Sequence, residues 1–328
     1  MKMRPAVSAC LIALAAFGVI SAFALPHSAR AQEPTTAQEP AKAVEKPLGP
    51  ADIIMPHITD SKQIDFPCFK SLREWSCEAE LPTWNVHIGG KTVDLGLSKH
   101  VIFLFIAAAA SMILLIGVAA SHRRHSHAAG RPKGFAAGME AIILYLRNEI
   151  YMPVLGGHGG EKFVPFCLTL FFFILWCNLF GLMPWGSTPT GNVAVTLTLA
   201  LITFVVVEIA GMRALGKGYI GTIIYWPADQ PFIMKALMTP IMTPVEIVGK
   251  FTKPFALTVR LFANMISGHV IILALIGLIF MFGFKVFIAP LAMALFIMLL
   301  EILVAFIQAF IFSLLAAVFI GQIRAAHH

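Results

Sequence analysis

The sequence predicts an all-α polytopic membrane protein, with about five membrane-embedded helices, the last two long and steeply tilted, plus one amphipathic surface helix. Three observations carry that prediction. Only 12% of the 328 residues are charged, where a soluble domain carries about a quarter. Mean hydropathy is +0.82, and apolar runs of about 20 residues recur, the length that crosses a ~30 Å hydrocarbon core. The cations behind the net charge of +7 sit mainly in short loops beside those runs. That placement reads as topology, with positive loops kept cytoplasmic, rather than as nucleic-acid binding.

Residues 1–31 have the layout of a secretory signal. Lys2 and Arg4 begin it, an apolar stretch runs from Ala6 to Leu25, and Ala29-Arg30-Ala31 supplies a small-x-small cleavage site. The apolar stretch is long, so an uncleaved anchor helix is the competing reading. Both place residues 32–98 outside the membrane as a periplasmic segment. This segment opens with a Pro/Ala/Glu/Thr-rich linker, EPTTAQEPAKAVEKP, whose composition cannot bury a core. Beyond it, Gly89-Gly90 punctuates an alternating, strand-like run. Cys68 and Cys77 lie here, and an oxidising compartment would let them pair as a disulfide; two free thiols are the alternative. Cys10 belongs to the leader, and Cys167 and Cys177 to an apolar span, where they read as packing residues.

The membrane domain, 99–325, begins with VIFLFIAAAASMILLIGVAA at 101–120. Arg123, Arg124, Arg131 and Lys133 follow it and mark the cytoplasmic side. His122, His125 and His127 share that loop. With no cysteine or carboxylate beside them they read as solvated rather than metal-binding. Residues 138–152 are amphipathic and too charged and short to span, so they are expected on the cytoplasmic surface. A hairpin of spans follows, about 163–183 and 193–212, with the turn PWGSTPTGN facing outward and Arg213 and Lys217 inside. Asn178 and Glu208 are polar groups within it, for which bonding to a neighbouring helix is the commoner role. A connection over 213–243 leads to two apolar segments, about 245–281 and 286–323. Each would be roughly 55 Å long as a helix, so each must tilt, bend or lie partly along the membrane; Pro254 is placed to bend the first.

Charged groups inside spans are costly and usually functional. The first long segment holds Glu246, Lys250, Lys253, Arg260, Asn264 and His269, and the second Glu301 and Gln308. At 100° per residue Arg260 and Asn264 share a face, Glu246 and Lys253 share one, and His269 points away from Arg260. Glu301 and Gln308, seven apart, face the same way. Two such stripes on adjacent helices would line one hydrated path. Arg260 is a fixed cation that does not deprotonate, whereas histidine and glutamate titrate when their surroundings shift them. On this chemistry alone two readings stand. Arg260 serves proton transfer to a moving carboxylate, or it is permanently paired with Glu301 or Glu208.

At these residues the chain resembles the a subunit of bacterial F-type ATP synthases. KPFALTVRLFANMISGH is similar to that family's signature helix, EILVAFIQAFIF to its final helix, and NLFGLMP with TGNVAVTLTLAL to its hairpin. The resemblance covers roughly 97–325 and leaves residues 1–96 unexplained. It implies a non-catalytic proton-channel subunit of the inner membrane, without cofactor or metal, partnered by a rotor c-ring, peripheral-stalk b subunits and, through the stalk, a catalytic head. Arg260 would face the ring carboxylates, and Asn264 and Gln308 would flank the proton path. His269 and Glu301 would form part of the outer half-channel, with Glu246 towards the cytoplasmic side and Lys253 at a basic position. Ala256 stands where some relatives carry a hydroxyl, so no role is carried over to it.

Two rivals were weighed on the same residues. Gly211 to Gly218 has the glycines and lysine of a phosphate-binding loop, but it lacks the Ser/Thr that holds magnesium and follows a span rather than a strand. An independent ion-coupled transporter would use the same buried charges, yet no repeat pair or second broken helix is visible.

Overall fold

The most deeply buried helix explains the rest of the packing. Helix α3 (Val164–Gly181) is hydrophobic all round, and such a helix has to be enclosed. Cys167, Phe172, Phe173, Ile174 and Cys177 are at most 2% exposed, and Pro165 sits in its first turn, where the missing N–H costs nothing. Two helices pack against it, α1 (Lys99–Ser126) and the closing helix α6 (Ile288–Ala325), and α4 (Val193–Leu215) packs in turn against α6. Phe103 of α1 meets Phe180 of α3 at 6.3 Å. Asn192 caps α4, its side chain accepting from the Ala194 N–H at 2.9 Å.

The computed structural model describes residues 98–126, 134–183, 186–223, 231–282 and 287–325, with four strands before them. The proposed leader and the linker after it lie outside the described residues. Among the described residues five helices are long and apolar enough to cross a membrane, which matches the expected number and makes this a multi-pass membrane chain. The outer segment adds two antiparallel pairs, β1 (Gln63–Ser71) with β2 (Glu74–Glu80), and β3 (Asn85–Ile88) with β4 (Lys91–Asp94). The second pair brackets Gly89-Gly90, which themselves lie outside the described residues. The register sets Cys77 opposite Phe66, with Cys68 two residues further along β1.

Two boundaries differ from expectation. Helix α5 runs from Phe232 to Phe282, 51 residues, so the end of the expected connection over 213–243, from Phe232 onward, is helical. Pro240 and Pro244 lie inside it. Each removes one donor, and the other bonds of the ladder carry the helix through. Such a helix is about 75 Å long, more than twice the ~30 Å hydrocarbon core. Only 11% of its apolar window is buried within the chain, against 67% for the span that includes α3, so α5 offers most of its surface to lipid or to other subunits.

The amphipathic segment also does more than lie on a surface. Helix α2 (Phe135–Tyr145) passes into a π-helical turn, Leu146–Tyr151, and one α turn, Met152–Leu155. Leu146, Tyr151 and Leu155 are buried in the bundle, and the Tyr151 hydroxyl bonds Ser313 of α6 at 2.7 Å. Burial pushes the Tyr151 phenol well above its ordinary pKa. Arg324 of α6 donates to the Leu155 carbonyl at 3.0 Å, which holds this element against the end of the last helix.

Candidate functional site

Helices α5 and α6 pack side by side, and their polar residues meet in an order that shows the two to be antiparallel. His269 Nδ1 lies 3.3 Å from Glu301 Oε1. One turn and a half back along α5, Asn264 donates to Gln308 Oε1 at 3.1 Å. Of the stripe read from sequence, Asn264 meets Gln308, whereas Glu301 meets His269, the residue read as pointing away from Arg260. Glu301 is 4% exposed and its Oε2 has no protein partner; the Gln308 side-chain nitrogen is likewise buried without one. Buried polar atoms left open in this way are sites for water or for a transferring proton. A Cβ at Gly268 would overlap the Glu301 carboxylate, so that glycine is what lets the acid lie against α5.

The turn between α3 and α4 closes the same end. Thr188 Oγ1 lies 3.4 Å from His269 Nε2, on the opposite side of the ring from Glu301. Thr190 donates to Asn178 at 2.9 Å, and Asn178 donates to the Ala305 carbonyl at 3.5 Å. Asn178 thus has the helix-bonding role expected of it. Thr188 and Thr190 were not singled out from sequence; the Asn-capped turn was their only signal.

A second polar cluster lies at the other end of α5. Lys250 Nζ is 3.4 Å from Glu208 of α4, and it also reaches the Tyr219 hydroxyl at 3.4 Å and Thr222 at 3.3 Å. The pair borders a cavity of about 220 Å³, also lined by Glu246, Lys253 and Gln322. Lys253 Nζ stands 4.9 Å over the Phe319 ring. Glu246 is exposed. Sequence spacing could not foresee the Glu208–Lys250 pair, because 42 residues separate its members. Gly211, the first glycine of the phosphate-loop look-alike, is inside α4 with Ile323 of α6 against it. It serves close helix packing.

Arg260 lies between the clusters, ten residues past Lys250 and nine before His269, or about 15 and 14 Å along the helix. It is exposed on the chain and has no hydrogen-bond or ion-pair partner among the described residues. Both acids once offered as its permanent mates are engaged elsewhere, Glu301 with His269 and Glu208 with Lys250. Its "burial" is therefore positional, within a span, and not enclosure by this chain. Around it α5 exposes Phe255 and Val259, and α6 exposes Leu303 and Phe306. The result is an exposed, unpaired cation with large apolar side chains beside it on its own helix.

Comparison with known proteins places this arrangement. A family model described as ATP synthase A chain matches residues 101–321. The chain is 45% identical over 268 residues to "ATP synthase subunit a" of Chloroherpeton thalassium, covering 81% of this chain and 74% of that protein. It is 41% identical over 313 residues to "ATP synthase subunit a 2" of Chlorobaculum tepidum, covering 92% and 80%. It is 40% identical over 325 residues to "ATP synthase subunit a 2" of Chlorobium luteolum, covering 94% and 89%. The last match leaves 6% of 328 residues, about 20, outside it. Most of residues 1–96, which the resemblance left unexplained, is therefore shared with that relative.

Proposed function

Because the chain belongs to the ATP synthase A chain family, a membrane subunit of the synthase, we propose that it is the stator subunit that carries protons to and from rotor carboxylates through two half-channels. The carrying observation is Arg260, an exposed, unpaired cation between two polar clusters in which the neighbouring acids already have other partners, His269 and Lys250. A charge at the bilayer centre costs about 2.5–3.5 kcal/mol on insertion scales. The absence of a mate in this chain is accounted for if the mate is a carboxylate arriving on another subunit.

In this reading a proton enters from outside past Thr188, crosses the His269–Glu301 pair, and neutralises a rotor carboxylate. The neutral site moves into lipid at low cost. A later site arrives opposite Arg260, ionises, and releases its proton inward towards the cavity bordered by Glu246 and Lys253. Arg260 stabilises the ionised carboxylate and bars a direct proton leak between the two paths. Asn264 and Gln308 line the ground between Arg260 and the outer cluster. Membrane potential supplies about 2.3 kcal/mol per proton per 100 mV, and ring rotation carries it to a catalytic head; this chain performs no chemistry on ATP. The partners are a c-ring, peripheral-stalk b subunits and the head. The location is the bacterial inner membrane, with the segment before α1 periplasmic and the C-terminus cytoplasmic. Cys68 and Cys77, on paired strands in that outer segment, are proposed to form a disulfide.

The test is proton-driven ATP synthesis in vesicles holding the assembled complex. Arg260→Ala should abolish coupled synthesis, and Glu301→Gln should lower it by about 100-fold or more, the usual worth of a positioned proton-transfer group. Normal synthesis by assembled Arg260→Ala complexes would sink the proposal.

A further inference from the structure

The Glu208–Lys250 pair is built with more care than a staple between two helices requires. An ammonium has three donors, and Lys250 places oxygens of Glu208, Tyr219 and Thr222 around it at 3.3–3.4 Å, with the Tyr219 ring 4.7 Å below. The lysine is fully occupied and fixed. Glu208 is not: only its Oε2 is bonded, and Oε1 has no partner among the described residues. That free oxygen belongs to a residue lining a cavity of about 220 Å³, room for several waters.

Position along the helices adds to this. Lys250 lies about 15 Å inward of Arg260, and Glu246 about 21 Å. Glu208, bonded to Lys250, is therefore the first carboxylate of this chain on the inward side of Arg260. Glu246 stands further out and is exposed. The other charged groups at the cavity are both cations of α5, Lys250 and Lys253, and α6 contributes no charge, only Phe319, Gln322 and Ile323.

We propose that Glu208 is the proton acceptor of the inner half-channel and that Lys250 is the positioning residue that holds it there. The inference rests on the reading of the chain as a proton conductor. A proton leaves the rotor carboxyl, crosses the cavity through water, and bonds to the free oxygen of Glu208, converting carboxylate to carboxylic acid. It then passes to water at the cytoplasmic mouth, past Glu246, and the carboxylate is restored. No other bond changes, and Lys250 keeps its proton throughout.

The experiment measures passive proton flow through the assembled membrane sector in vesicles, driven by a potassium diffusion potential. Glu208→Gln keeps the shape and an oxygen for Lys250 but cannot take up a proton. The expected result is a loss of about 100-fold, with Glu208→Asp retaining most of the flow. If the pair is only a staple, Glu208→Gln conducts as the parent does, and the inference is overturned. Should Glu208→Gln fail to assemble, the double variant Glu208→Ala/Lys250→Met removes both charges together. Formate on the cytoplasmic side should then raise its slow flow several-fold above the formate leak of vesicles lacking the complex, and an unresponsive variant overturns the inference equally. Glu301→Gln in the same preparation separates the two levels. If it too conducts normally, the parent reading has failed and this one falls with it.

Discussion

Gly268→Ala should cripple the outer path by displacing a side chain on another helix. The added Cβ would overlap Glu301 Oε1, come within 2.6 Å of Cδ, and lie 3.2 Å from Cγ. Glu301 has little room to retreat, being 4% exposed and bonded to His269 at 3.3 Å. Overpacking of this kind costs about 1–3 kcal/mol. If relief comes from pushing the carboxylate off its place, the same energy is taken from proton transfer, where each 1.36 kcal/mol is about tenfold in rate. Assembled Gly268→Ala complexes should conduct protons about 10- to 100-fold more slowly. The geometry also names its own suppressor. Glu301→Asp withdraws the carboxylate by about one C–C bond, roughly 1.5 Å, which clears the new methyl. Gly268→Ala/Glu301→Asp should therefore conduct faster than Gly268→Ala alone. The assay is dye-reported proton uptake in vesicles under a fixed potassium diffusion potential, normalised to assembled complex. Full activity of Gly268→Ala, or a double variant no better than the single, would refute the packing argument.

Three further outcomes are expected. Asn264→Leu strands the Gln308 carboxamide, whose nitrogen already lacks a partner; thermal unfolding of the detergent-solubilised complex should show a loss of about 1–3 kcal/mol, and an unchanged midpoint would count against the bond. Asn178→Ala removes the acceptor of Thr190 and the link to Ala305. It should loosen the α3–α4 turn by a similar amount, read as faster hydrogen exchange across residues 186–192. Tyr151 binds its proton more tightly folded than unfolded, so its contribution is complete below the ordinary phenol value of 10.0 and is lost as pH climbs beyond it. Tyr151→Phe gives up the Ser313 bond, worth about 1 kcal/mol, and should flatten that alkaline loss; an equally steep decline in the variant would contradict the assignment.

The sequence by itself determined the membrane class and the number of long apolar helices. Those facts follow from composition and from the length of apolar runs, which are properties of the chain and not of its packing. It also placed Asn264 with Arg260 and Glu301 with Gln308, because helical periodicity fixes neighbours within one helix. Only the tertiary structure decided which helix faced which. His269 with Glu301, Asn264 with Gln308 and Glu208 with Lys250 join residues 32, 44 and 42 positions apart, and no periodicity reaches that far. The connection expected over 213–243 is also too long, since Pro240 is carried inside α5 by the bonds around it. The tertiary structure settled the choice left open for Arg260 as well. Spacing alone allowed Glu301 or Glu208 as a permanent mate. Packing gave each acid a different partner, His269 for Glu301 and Lys250 for Glu208, and left Arg260 exposed on its own chain.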